Sequence, residues 1–144
     1  ATQNPVEQEG TYPLPEAQMD RFMLKVIVGY PTAEEELVIL DRMATTKPAF
    51  DLNSVVSPEE IIGYQGLVNQ IHVDKLVKEY VVRLVVATRE AAAGQGVAPD
   101  LKRLVRIGAS PRATINLTLA ARACALLEGR DHVTPDDVKL IAPD

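Results

Sequence analysis

The residues best suited to chemistry are Gly108-Ala109-Ser110-Pro111-Arg112-Ala113. Ser110 is a good helix N-cap, and Pro111 fits the first helical turn because its missing N–H would have been unpaired there. Arg112 follows in the same turn, where a cation faces the positive end of the helix dipole. That placement costs about 0.3 to 1 kcal/mol unless something negative intervenes. Two readings are open. Arg112 points into water or pairs with an acidic side chain, or the free backbone N–H groups and the guanidinium converge on a phosphate. Lys102, Arg103, Arg106 and Arg112 form the basic cluster of the chain, and no aromatic residues are interleaved with it. Such a cluster suits a solvated face or a phosphate contact better than readout of nucleic-acid bases.

Other combinations have cheaper explanations. No G-x-x-x-x-G-K-[ST] phosphate loop occurs, and Gly94-Gln95-Gly96, with no strand before it and no Lys-Ser or Lys-Thr after it, reads as a turn. Val38-Ile39-Leu40-Asp41 resembles an apolar run ending in a metal-binding acid, but it falls inside a capped helix where its side chains point in different directions. His132 lies near Asp131, Asp136 and Asp137, and acids in a first helical turn complement the dipole without any metal. His72 beside Asp74 is no stronger, and no metal site is expected. Cys124 falls on the apolar stripe of its helix and reads as a small core residue. Neither histidine has the partners that a serine, histidine and acid arrangement requires.

These residues need a scaffold, and the composition supplies one. The chain has 144 residues, 47% hydrophobic, with 4% aromatic residues and no Trp, so the core is built from Leu, Val, Ile and Ala in packed helices. A net charge of -5 argues against attraction to DNA or an acidic membrane. A single cysteine excludes an internal disulfide and agrees with a reducing compartment. No apolar run approaches the roughly 20 residues that span a bilayer. The opening Ala-Thr-Gln-Asn-Pro lacks Met and any signal-like segment, and it reads as the interior of a longer chain.

Residues 1–20 carry Pro5, Gly10, Pro13 and Pro15 and read as a loop that enters a short helical turn at 15–20. Phe22 to Val28, closed by Gly29-Tyr30-Pro31, reads as a buried strand. A lone strand buries nothing, so it needs partner strands from elsewhere. Helical signals follow. Thr32-Ala33-Glu34-Glu35 and Ser57-Pro58-Glu59-Glu60 are capping boxes that open helices at about 33–44 and at 58, the second softened by Gly63 and Gly66. Asp74 caps a long helix ended by Gly94-Gln95-Gly96; its many valines favour a strand locally, but its charges recur at helical spacing. A short helix at 100–105, the helix opened by Ser110 to about 128, and a last one from Thr134 complete the chain.

The stretch from Ala1-Thr2-Gln3-Asn4-Pro5 through Met19-Asp20-Arg21-Phe22 closely resembles the second half of the ATPase core in the MoxR family of AAA+ proteins, and Gly108 to Ala113 resembles that family's lid segment. The resemblance covers essentially the whole chain. It implies a mainly α fold: a helical-bundle AAA+ lid at 31–144, preceded at 1–30 by a remnant of the αβα ATPase core consisting of a loop and one strand. It further implies that Asn4 is the first sensor, a neutral amide that orients the attacking water. Arg21, with Met19 where Leu is usual, corresponds to the arginine finger that reaches a neighbouring subunit's ATP. Arg112 corresponds to the second sensor, which contacts ATP in its own subunit.

By the same resemblance the parent is expected to be an ATP hydrolase using ATP and Mg2+, cytoplasmic, and assembled into a ring, a hexamer as the resemblance implies. It would act as a chaperone on client proteins, commonly alongside von Willebrand factor A domain partners. The phosphate loop and the Mg-binding acids belong upstream, so this chain by itself is not expected to hydrolyse ATP. The competing reading is a free-standing helical interaction module whose arginines bind acidic groups of a partner. A DNA-binding role for Lys102, Arg103 and Arg106 is disfavoured by the acidity of the chain and its few aromatics.

Overall fold

A computed structural model describes residue 2, residues 14–47, residue 50 and residues 52–143. Among the described residues are six α-helices, α1 (Glu16–Met19), α2 (Ala33–Met43), α3 (Pro58–Gln70), α4 (Lys75–Ala93), α5 (Pro111–Leu127) and α6 (Pro135–Ile141), with a 3-10 turn at Pro99–Arg103 between α4 and α5. The helix starts are those the capping residues dictate. Thr32 accepts from the backbone N–H of Glu35 at 3.3 Å while the Glu35 carboxylate accepts from Thr32 N at 2.7 Å, and Ser57 and Glu60 repeat the exchange at 3.2 and 2.7 Å. Asp74 accepts from Leu76 N at 2.7 Å, and Gly94, at φ 74°, closes α4 in the left-handed conformation.

The core lies between α4, α5 and α6. Val77, Val81 and Val85 of α4 are buried at a spacing of four residues, and Val77 and Val81 pack in one cluster with Ala121 and Ala125 of α5 and Val138 of α6. The alanines keep α5 narrow, so β-branched neighbours close over it from both sides. Thus the valines that locally favour a strand are instead the buried stripe of a helix. Ile71 and Val73 enter from the segment before α4, and Val133 from the segment before α6. Those two segments run side by side: His72 N donates to Asp131 O at 2.7 Å, and Val133 N donates to His72 O at 2.9 Å, a short parallel bridge. No described helix is long and apolar enough to cross a membrane.

One expectation is corrected. Phe22 to Val28 forms no strand, and among the described residues no strand occurs; the His72–His132 bridge is the isolated β contact. The reason is that a strand needs a neighbour to take its N–H and C=O groups, and none of the described residues lies alongside as one. Val26, Ile27 and Val28 are accordingly exposed. Helix α2 is exposed along its length as well, Leu37 and Leu40 included.

At the start of α6, Asp137 is buried and receives the Arg130 guanidinium at 2.9 and 2.5 Å, together with Thr134 N at 2.8 Å and the Thr134 hydroxyl at 2.9 Å. The Arg130 hydrogen bonds hold its carboxyl well below the usual carboxylate range, at about 2. Because the folded value lies under the unfolded one, this stabilisation is complete above about pH 4 and is lost as pH falls through 2. Its size is about 2 kcal/mol. Acid titration followed by circular dichroism is therefore expected to show a loss of stability between about pH 4 and pH 2 that is smaller in Asp137→Asn than in the parent.

Candidate functional site

The site is built at the start of α5. Ser110 accepts from Arg112 N at 3.1 Å, the N-cap expected from the sequence. The Ser110 hydroxyl also donates to Asp20 Oδ1. Arg112 Nη1 donates to Asp20 Oδ2 at 2.9 Å and to the Asp20 carbonyl at 3.3 Å. The two carboxylate oxygens are thus divided between the hydroxyl and the guanidinium. Asp20 is the anion that a cation in a first helical turn requires. Arg112 and Asp20 are each about half or one-third exposed, at 47% and 35%, so the pair contributes at most about 1 kcal/mol to stability.

The loop that carries Ser110 is fixed to α4. Ala109 N donates to the Thr88 hydroxyl at 2.9 Å, and Arg89 Nε donates to Ala109 O at 2.7 Å. Gly108 lies directly on Arg89: a Cβ there would stand 2.4 Å from the Arg89 Cα, closer than any side chain permits. Glycine at 108 is therefore demanded by close approach. A second tie, Arg106 to Glu16, joins the loop to α1. Beside Asp20 a cleft of about 300 Å³ opens between residues 20–24 and helices α4 and α5, lined by apolar Phe22, Leu84 and Leu117 with Thr88 and Asn116.

The sequence-derived candidates fall as follows. Arg112 is in this cluster. Arg21 follows Asp20 directly; it is exposed and has no ion-pair partner among the described residues. Asn4 lies outside the described residues. Asp20 was missed by the sequence reading. It lies 92 residues from Arg112, and only the uncompensated charge at the helix start hinted that some anion must come there. Of the acids near His132, Asp131 is 2.8 Å from His132 Nδ1, Asp136 pairs with Lys139 at 3.0 Å, and Asp137 belongs to Arg130. Among the described residues no group of three or more His, Cys, Asp and Glu could hold a metal ion. Cys124 is partly buried, and burial pushes its thiol above the ordinary range, as for an unreactive packing residue.

Two family models match the chain: the AAA lid domain over residues 98–144, and the ATPase family associated with various cellular activities (AAA) over residues 1–24. Relatives extend the match to nearly every residue. The chain is 46% identical to chaperone MoxR1 of Mycobacterium tuberculosis over 144 residues, covering 100% of this chain and 37% of that protein. It is 36% identical to protein MoxR of Paracoccus denitrificans over 153 residues, covering 98% and 44%. The chain belongs to the MoxR family of AAA+ ATPases.

The uncharacterized protein YeaC of Bacillus subtilis is a further relative of this MoxR-family chain, 45% identical over 143 residues, covering 99% of the chain and 41% of YeaC. Its helical architecture recurs in the crystal structure of a candidate ATPase from Cytophaga hutchinsonii, with TM-score 0.83 and 39% identity, covering 99% of the chain and 42% of that structure. The chain thus spans about two fifths of the length of the curated relatives it matches. Asp20 and Arg21 fall within the AAA match and Ser110 and Arg112 within the lid match, so the Asp20 contacts join the two matched segments.

Proposed function

We propose that this MoxR-family chain provides the lid and the closing part of the ATPase core of an ATP hydrolase, with the core remnant at 1–30 and the lid at 31–144. The observation that carries this reading is the divided carboxylate at the start of α5. Ser110 and Arg112 present one hydroxyl and one guanidinium to the two oxygens of a single anion, the donor set a phosphate takes. Asp20 stands in for that anion here. The neighbouring apolar cleft with Thr88 and Asn116 suits the uncharged part of a nucleotide.

In this reading Arg112 binds and orients the phosphates in its own subunit. Arg21, exposed at the end of α1, neutralises charge at the nucleotide of a neighbouring subunit, which requires a ring, hexameric in this proposal. Asn4 orients the attacking water. ATP with Mg2+ supplies the cleavable phosphoanhydride, and the Mg2+ ligands lie outside this chain. Turnover drives chaperone-like remodelling of client proteins in the cytoplasm, with von Willebrand factor A domain proteins as partners; one relative is itself named a chaperone. The chain of 144 residues alone does not hydrolyse ATP.

The test is phosphate release by the full-length protein that contains this segment. Turnover is expected in the parent and about ten-fold less in Asn4→Ala, with ATP binding retained, because an orienting amide acts on the attacking water rather than on the bound phosphates. An assembled parent that binds no ATP, or an Asn4→Ala protein with parental turnover, contradicts the assignment.

A further inference from the structure

Asp20 does two things at once. Its carboxylate occupies both polar groups at the start of α5, and its carbonyl accepts from Arg112 as well. One peptide unit further on, at a Cα separation of about 3.8 Å, is Arg21. The residue that engages Arg112 and the residue exposed for a neighbour are therefore consecutive at the end of α1. We infer that Asp20 is a positioning residue, a carboxylate that competes with nucleotide phosphate for Arg112 and so ties the placement of Arg21 to the state of the nucleotide site in its own subunit.

The inference rests on the reading of Arg112 and Arg21 given above. A polyphosphate carries more charge than a carboxylate and displaces it from a shared guanidinium. Once the Ser110 hydroxyl and Arg112 turn to phosphate, Asp20 loses all three of these contacts, and the 20–22 segment is free to move. Competition also lowers apparent affinity, because only the fraction of molecules with Arg112 released is competent to bind. The half-exposed pair is weak enough to be displaced by phosphate and strong enough to be measurable.

The test uses the full-length protein, a non-hydrolysable ATP analogue as probe, and Asp20→Asn, which preserves shape and can still accept from Ser110. The variant is expected to bind the analogue about two- to six-fold more tightly than the parent. Tighter binding is a result that a merely damaged fold does not produce. Hydrogen exchange supplies a measurement needing no variant: in the parent, adding the analogue is expected to accelerate exchange at residues 20–22. In Asp20→Asn those residues exchange quickly from the outset. Unchanged or weaker analogue binding by Asp20→Asn, or a parental 20–22 segment that ignores the analogue, overturns the inference. Arg112→Ala separates the two failures. If it weakens analogue binding while Asp20→Asn fails to tighten it, the nucleotide assignment stands and only the role of Asp20 falls; if Arg112→Ala has no effect, the assignment itself falls.

Discussion

Replacing Arg21 by alanine in the full-length protein is expected to reduce ATP turnover about 10³-fold while leaving ATP binding within a few-fold of the parent. The effect follows from charge and exposure. Arg21 follows the Asp20 cluster without joining it, its side chain is exposed, and no ion pair with a described residue holds it back. An arginine that meets a neighbour's phosphates stabilises charge developing in the transition state and adds little to ground-state binding, so its loss falls on kcat. Mixing decides whether it acts across a subunit boundary. Arg21→Ala protein combined with a phosphate-loop variant is expected to regain part of the activity, because some interfaces pair an intact arginine with an intact phosphate loop. Neither protein is active alone. If turnover measured by phosphate release survives the substitution, Arg21 is not the finger.

Arg112→Ala is expected to act on binding. A guanidinium hydrogen-bonded to an anion contributes about 1.5 to 3 kcal/mol, so ATP affinity should fall about 10- to 100-fold in equilibrium titration. Arg112→Lys should recover only part of the loss, since an ammonium keeps the charge but lacks the planar fork. Thermal stability of either variant should shift little, because the Asp20 pair is half-exposed and the same substitution relieves an unfavourable cation at the start of α5. Parental affinity in both variants would assign Arg112 to the fold alone.

Much of the fold was legible because short-range chemistry sets it. Ser57 with Glu60, Thr32 with Glu35, Asp74, Ser110 and the glycine after α4 each determine a helix end within four residues of themselves, and the helices follow. Phe22 to Val28 failed because a strand is a property of two chains side by side, and its pattern says nothing about whether a neighbour is there. The candidate site divides the same way. Ser110, Pro111 and Arg112 alone left the start of α5 open to water, an acidic side chain or a phosphate. What fills it, the carboxylate of a residue 92 positions away, depends on tertiary packing that no local periodicity encodes. Gly108 belongs to this second class too, since its need for a missing side chain arises only when Arg89 of α4 comes to rest on it.

The parallel bridge between residues 71–73 and 131–133 has a mechanical consequence. It fastens the beginning of α4 to the beginning of α6, while Thr88 and Arg89 grip the loop at the opposite end. Helix α5, 17 residues and so about 25 Å long, runs between these two attachments through close-packed alanines. A displacement of Arg112 is therefore expected to be carried along this rod to the far attachment rather than absorbed at either end of α5.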